Sequence, residues 1–162
     1  MLLVRPRDPA PSIVPEPLLE HVLVPLDGSS LAERVLGPAL DFVRLWQGHC
    51  TLLRVIEASP ATTAGRPNRP RPPEQEQEAV AQAYLEKIAG RLREKGTAVQ
   101  TRTVVAPHAA AAILDEAQKE RCDFIALATH GWGGLRRMLL GSVTDKVVRG
   151  SSLPVLAYRP TS

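Results

Sequence analysis

Cysteine is scarce in this sequence, and its spacing excludes the simplest cysteine-based functions. Among 162 residues there are two cysteines, Cys50 and Cys122, and neither belongs to a Cys-x-x-Cys pair or a Cys/His metal-binding spacing. A disulfide scaffold needs several cysteines, and a structural zinc site needs four ligands. Each cysteine instead precedes an apolar run, so we interpret both as small core residues.

Long apolar runs and a strong charge imbalance are also missing. No stretch approaches the ~20 apolar residues that a membrane-spanning helix needs, and early prolines interrupt the N-terminus where a secretory signal would need an apolar core. The formal net charge is +3, which is too small to predict a nucleic-acid partner without clustered Lys and Arg. We therefore expect a cytoplasmic protein that binds neither a membrane nor nucleic acid.

Proline-rich stretches suggest how the chain is organised. Residues 1–19 contain five prolines, which predicts an extended or mobile arm before a single domain over residues 20–160. Residues 58–73 are rich in Pro and Arg and have no apolar periodicity, which predicts a mobile insertion within that domain.

Short apolar runs alternate with helical apolar patterns along the domain. Aromatic residues make up only 4% of the chain, so Val, Leu, Ile and Ala must form most of the core. The five predicted strands are His21–Leu26, Thr51–Ile56, Ala98–Val105, Asp123–Thr129 and Leu153–Pro160. The four predicted helices are Leu31–Leu45, Glu74–Lys95, His108–Arg121 and Ser142–Gly150. This alternation predicts an α/β fold: a Rossmann-like, doubly wound, five-stranded parallel sheet in the order 3-2-1-4-5, with helices on both faces.

Two polar, glycine-containing segments would lie at the same edge of this sheet. They are "LDGSS" after the first strand and "THGWGG" after the fourth, and parallel sheets bind ligands beyond the carboxyl ends of their strands. Gly131, Gly133 and Gly134 permit positive φ angles, so several backbone amides can turn toward one anion.

The helix after the second segment offers a further anion site. We predict that Ser142 caps its start, with Asp145 in a variant of the capping box, and a helix N-terminus attracts phosphate. Arg136 and Arg137 add positive charge nearby. The chain has neither a Walker loop nor a Gly-x-Gly-x-x-Gly motif after its first strand.

These residues resemble the universal stress protein family, whose ATP-binding members carry Gly-x2-Gly-x9-Gly-Ser/Thr after strand four. The pattern here is Ala128-x2-Gly131-x9-Gly141-Ser142, with Ala128 in place of the first glycine. The resemblance spans about residues 20–160 and includes "VLVPLDGS", "LLRVIE" and "LPVLAYRP".

The resemblance implies an adenine-nucleotide site for ATP, AMP or ADP. Pro25 and Asp27 would line the adenosine side, and the backbone of Val55 would meet adenine. The remaining implied residues wrap the ribose and phosphates: Ala128, Thr129, His130, Gly131, Trp132, Gly133, Gly134, Gly141, Ser142, Val143 and Thr144. Mg²⁺ or Mn²⁺ would bridge the phosphates, since such ions take most of their ligands from phosphate and water; no protein metal ligand and no catalytic residue is assigned.

Other interpretations of four residues stay open. Asp27 in "DGS" also suits a turn without any ligand, and the resemblance favours the ligand role. His130 is either a general base or, as we prefer, a positional contact. Arg136 either contacts phosphate or is solvated surface charge, and Trp132 either packs on the protein, covers the ligand or meets a partner.

Three functions from different classes are consistent with these observations. The preferred one is a binding module in a stress response or in signalling, with slow or no ATP hydrolysis. The alternatives are a slow ATPase or nucleotidyl-transfer enzyme, and a nucleotide-free dimer that acts only through contacts with other proteins. The resemblance also implies a homodimer through antiparallel pairing of the last strand, at about Pro154–Tyr158.

Overall fold

The protein is described by a computed structural model for residues 2–3, 19–58, 73–129 and 141–159. The described strands are β1 (Leu2–Leu3), β2 (His21–Pro25), β3 (His49–Glu57), β4 (Ala98–Ala106), β5 (Phe124–Ala128) and β6 (Val155–Tyr158). They form one sheet in the order β1-β6-β5-β2-β3-β4. Strands β2 to β6 are mutually parallel, so the predicted parallel sheet and its order 3-2-1-4-5 are confirmed.

The short strand β1 was not predicted. It pairs antiparallel to β6, with Leu2 opposite Leu156 and Leu3 opposite Val155. Two residues are too few to show a strand period in the sequence, so only the long-range pairing reveals them. Residues 4–18 and 59–72 lie outside the described residues, and the predicted arm and insertion stay predictions.

Five helices connect the parallel strands in the described ranges: α1 (Ser30–Glu33), α2 (Leu36–Leu45), α3 (Glu74–Arg93), α4 (Ala109–Lys119) and α5 (Ser142–Gly150). The single helix predicted over residues 31–45 is wrong, because the structure has a break between α1 and α2. Pro38 explains the break, since it has no amide to donate to the carbonyl of Arg34 and its ring crowds that carbonyl. The amides of Arg34 and Val35 instead donate to the carbonyls of Leu31 and Ala32, at 3.2 Å each.

The sheet separates two hydrophobic clusters. Val22 and Val24 of β2 face the cluster that contains residues of α2 and α3, while Leu23 faces the cluster formed with α4 and α5. Cys50 and Cys122 are free and buried, which confirms their interpretation as core residues. Burial raises the pKa of each thiol to about 12.

The amino edge of the sheet contains a buried histidine. His21 is only 7% exposed, and its ring stacks on that of His49 with the ring centres 4.0 Å apart. Its Nε2 atom lies 2.8 Å from Oγ1 of Thr51. Both histidines therefore have structural roles. They lie at the edge of the sheet opposite to the strand ends that precede "LDGSS" and "THGWGG", the segments that the sequence indicated as ligand-binding. Across the described ranges, no helix is long and apolar enough to cross a membrane.

Candidate functional site

The pairing of β2 with β5 stops before either strand ends. Their ladder ends at Leu23 opposite Ile125, whereas β2 continues beside β3 as far as Pro25 opposite Leu53. The hydrogen-bonded pairing of the two central strands thus ends before their carboxyl ends, and we refer to the space beyond the paired residues as the crevice. Here the strand order reverses, which is the place where open parallel sheets bind ligands.

Pro25 explains why the pairing of β2 with β5 ends where it does. The carbonyl of His21 accepts a bond from Asp123 on the β5 side, and the amide of Leu26 donates to Leu53 on the β3 side, both at 2.8 Å. Backbone groups of successive strand residues point to opposite neighbours, so residue 25 faces β5. Proline has no amide, and the β2–β5 ladder cannot continue there.

The backbone of Val55 faces this crevice. The carbonyl of Leu53 points to the β2 side, where it accepts the amide of Leu26. The polar backbone groups of Val55, two residues further, point the same way, but β2 has already ended at Pro25. The half-buried side chain of Val55 packs against the α4–α5 cluster. Its amide and carbonyl are thus directed to the space beyond the end of β2.

One wall of the crevice is the turn between β2 and α1. The Oδ1 atom of Asp27 accepts the amide of Ser29 at 2.9 Å, and Gly28 has φ +85°, a conformation that favours glycine. The hydroxyl of Ser29 accepts the amide of Ala32 at 3.0 Å and caps α1. The turn role expected of "DGS" is present, and it holds the partly exposed Asp27 at the carboxyl edge.

Arg54 supports this turn, and sequence reasoning missed it. Its Nη1 atom donates to the carbonyl of Leu26 at 3.2 Å, and its guanidinium lies 3.7–3.8 Å from the point where a Cβ of Gly28 would be. An arginine within the otherwise apolar run "LLRVI" was the available signal. Nearby, Tyr84 donates to Oε1 of Glu33 at 3.1 Å, and burial, followed by the negative charge of Glu33, raises the pKa of Tyr84.

The opposite wall is the junction of β5 and α5. The amide of Gly141 donates to the carbonyl of Thr129 at 2.5 Å, and the buried Thr144 hydroxyl donates to the carbonyl of Ala128 at 2.9 Å. A Cβ on Gly141 would lie only 2.9 Å from the Thr129 oxygen. Glycine is thus required by close backbone approach, and these two bonds fix the start of α5 beside the crevice.

The predicted capping role of Ser142 is wrong. Gly141, with extended backbone at φ −62° and ψ 154°, is the N-cap, and α5 begins at Ser142 without a side-chain cap. The carboxylate of Asp145 accepts from Arg149 at 2.9 and 3.0 Å and does not form a capping box. The first helical bond runs from the amide of Asp145 to Gly141, so the helix gives no partner to the amides of Ser142, Val143 and Thr144.

The methyl group of Ala128 is accommodated on the protein side. Ala128 is partly buried and packs against the cluster formed with α2 and α3. Replacing the motif's first glycine with alanine therefore fills core space at the end of β5. Six further predicted site residues lie outside the described residues: His130, Gly131, Trp132, Gly133, Gly134 and Arg136. Their roles stay predictions.

The described part of the site is built mainly from backbone groups. The two walls bring the Asp27 carboxylate, the Val55 backbone and the positive start of α5 to one sheet edge. The described residues contain no group of three or more His, Cys, Asp or Glu side chains that could hold a metal ion. Chemically, this arrangement suits a ligand with a polar ring at one end and an anion at the other.

Comparisons with known proteins agree with the resemblance found in the sequence. Residues 19–159 match the model of the Universal stress protein family. Universal stress protein YxiE of Bacillus subtilis is 29% identical over 150 residues, which cover 88% of this chain and 100% of YxiE. The solved structure of Methanocaldococcus jannaschii MJ0577 is similar with a TM-score of 0.67 at 26% identity, over 90% of this chain and 99% of that one. A universal stress protein in complex with cAMP shares the fold, with a TM-score of 0.64 at 19% identity, over 89% and 99% of the two chains.

Proposed function

Because the chain belongs to the universal stress protein family, we propose that it is an adenine-nucleotide-binding module for ATP. We propose that it acts in the cytoplasm, in a stress response or in signalling. The observation that carries the proposal is that β2 stops pairing with β5 before their carboxyl ends, at the point where the strand order reverses. A relative of the same fold was solved with cAMP, which is also an adenine nucleotide.

The adenosine end of the ligand would bind at the ends of β2 and β3. Adenine presents donors and acceptors at its edge, and the backbone of Val55 offers one of each on the crevice side. Asp27 would accept from the ribose hydroxyls while its Oδ1 atom keeps the bond to Ser29 at 2.9 Å. Pro25 would contribute by keeping β5 away from β2.

The phosphates would bind at the start of α5. The helix N-terminus offers the amides of Ser142, Val143 and Thr144, together with about half a positive charge. Ser142 is exposed, so its hydroxyl can donate as well. Thr144 would contribute through its amide, since its hydroxyl already donates to Ala128. We propose that the segment His130–Gly134 and Arg136 complete the phosphate site, with Mg²⁺ or Mn²⁺ held mainly by phosphate and water.

We propose that hydrolysis is slow or absent. General-base catalysis would need a side chain that can accept a proton from the attacking water. Asp27 is the carboxylate at the described end of the crevice, and one of its oxygens maintains the turn that begins α1. The proposal therefore assigns the site to binding and no residue to catalysis.

Calorimetric titration of nucleotide-stripped protein with ATP, with and without Mg²⁺, tests the proposal. We expect micromolar affinity, reduced at least about ten-fold by Gly131→Asp, which corresponds to about 1.4 kcal/mol. The matched control is Gly37→Asp, at an exposed position in α2 where a Cβ meets no atom within 4 Å. Absence of ATP binding by the wild-type protein, or equal affinity in both variants, would contradict it.

We also propose a homodimer formed by antiparallel pairing of β6, over about Pro154–Tyr158. In this arrangement β6 keeps its parallel bonds to β5, and the opposite side of β6 pairs with the same strand of a second copy. Such pairing would take the place of the two residue pairs that β1 makes with this side of β6, and it is compatible with a two-fold axis. Light scattering that shows only a monomer at all concentrations would remove this part of the proposal.

A further inference from the structure

One side of β6 is already used by the parallel sheet. Its register pairs Val155 with Ile125 and Tyr158 with Ala128 across the whole strand. A strand has two sides that can hydrogen-bond to neighbours. Any additional strand, from this chain or from another, must therefore bind to the other side.

The N-terminal strand β1 lies on that other side. Leu2 is opposite Leu156 and Leu3 is opposite Val155, in antiparallel orientation. Leu156 is also the middle residue of the stretch Pro154–Tyr158 proposed for dimerisation. Neighbouring strands lie about 4.8 Å apart, so β1 and a second copy of β6 cannot occupy this position together.

The length of the connection allows β1 to reach β6 within one chain. Fifteen residues, 4–18, separate β1 from the described residues before β2, and an extended segment of that length spans up to about 50 Å. Strands β6 and β5 lie between β1 and β2 in the sheet, so β1 and β2 are about 14 Å apart. Fifteen residues are therefore enough to join the two strands within one chain.

We propose that β1 is an intramolecular cap on β6, and that the N-terminus and a second copy of the chain compete for the same edge. A second copy would use the same backbone groups on the outer side of β6 that β1 uses, so binding of either strand excludes the other. The N-terminus thereby sets the equilibrium between monomer and dimer. This inference rests on the proposed dimer.

Sedimentation velocity over a range of concentrations tests the competition in the full-length protein. The variant Leu2→Pro with Leu3→Pro removes both backbone amides of β1. Adjacent residues of a strand face opposite sides, so one of these two amides faces β6, and the double variant removes it in either case. The control variant, Ser12→Pro with Ile13→Pro, adds two prolines outside β1. We expect the β1 variant to dimerise about ten-fold more tightly than both the control and the wild type, which is about 1.4 kcal/mol.

The outcomes separate the cap from the dimer. Equal dimer dissociation constants in all three proteins would overturn the cap and leave the dimer standing. Monomers at every concentration in all three would overturn the dimer itself, and the cap as its competitor with it.

Cross-linking tests whether β1 caps its own chain. Residues 3 and 155 are directly opposite, so Leu3→Cys with Val155→Cys places two thiols at a spacing that suits a disulfide, while Cys50 and Cys122 stay buried. Mild oxidation should give a cross-linked monomer on a non-reducing gel, and that species should not dimerise. Cross-linking found only between two chains would overturn the intramolecular cap.

Discussion

The amide of Gly141 donates to the carbonyl of Thr129 at 2.5 Å, which ties the residue before α5 to the residue after β5. This bond brings a helix N-terminus to the side of the crevice left by β2 and β5. The phosphate end of the proposed nucleotide site thus depends on a contact between the backbone groups of Gly141 and Thr129. This close approach limits which side chain fits at position 141.

Gly141→Ala should disturb this junction. The backbone angles of Gly141 suit alanine, but the new Cβ would lie 2.9 Å from the Thr129 oxygen. We expect a loss of about 1–3 kcal/mol in the free energy of unfolding, together with weaker ATP binding. Urea denaturation and calorimetry measure both. Gly37→Ala, where a Cβ meets nothing within 4 Å, is the control, and equal behaviour of the two variants would contradict the close approach.

Thr144→Val should lower stability while keeping the side-chain shape. It removes the hydroxyl that donates to Ala128 at 2.9 Å and leaves that carbonyl without its donor. Because this bond is partly buried, its loss should cost about 0.5–1.5 kcal/mol, which urea denaturation can measure. Thr144→Ser keeps the hydroxyl and should retain more of the stability. If valine were as stable as threonine, the bond would have no structural role.

Pro25→Ala should narrow the crevice. Alanine restores an amide on the side of β2 that faces β5, so the ladder can extend beyond Leu23 and Ile125. We expect ATP affinity to fall about three- to ten-fold, or about 0.7–1.4 kcal/mol, in a calorimetric titration. Pro38→Ala, at the break between α1 and α2, is the matched control. Unchanged affinity in Pro25→Ala would show that this proline does not shape the site.

His21 should make stability depend on pH. Burial, and then the charge of His49 when it is protonated, lower the pKa of His21 below its ordinary value of 6.5. Below pH 6.5 the unfolded chain therefore binds a proton that the folded chain does not. The free energy of unfolding decreases as the pH is lowered, by up to about 1.4 kcal/mol per pH unit. Urea denaturation between pH 7.5 and pH 5.5 measures this slope.

Replacing His21 isolates its contribution to that slope. The variant His21→Gln should show a smaller loss of stability between pH 7.5 and pH 5.5 than the wild type. His108 is exposed, so His108→Gln should keep the wild-type slope. A slope that His21→Gln leaves unchanged would mean that other groups cause the pH dependence.

The sequence was sufficient to predict the parallel sheet, because β2, β3, β5 and β6 each contain a short apolar run, and β4 begins with an alternation of apolar and polar residues. It failed where two distant segments determine the local structure. Serine is a residue type that favours the N-cap of a helix, yet the contact between Gly141 and Thr129 makes Gly141 the N-cap of α5. The pairing of Leu2 with Leu156 has no local signal at all.

The candidate site shows the same division. Asp27 and Gly141 could be identified from a motif, since turns and phosphate loops need particular residue types at fixed spacing. The opening caused by Pro25 depends on which neighbouring strand residue 25 faces, and that is known only from the register of the sheet. The role of Arg54 likewise depends on the fold, because only the folded chain places its guanidinium beside the turn between β2 and α1.

Titrating ATP into isotope-labelled protein and following the backbone amide signals tests the central claim most directly. The account predicts that the amides of Val55, Ser142, Val143 and Thr144 shift together as the crevice fills. The amides around His21 and Cys122, at the opposite edge of the sheet, should stay in place. Shifts confined to another face, or none with ATP present in excess, would contradict a nucleotide site between β2 and β5.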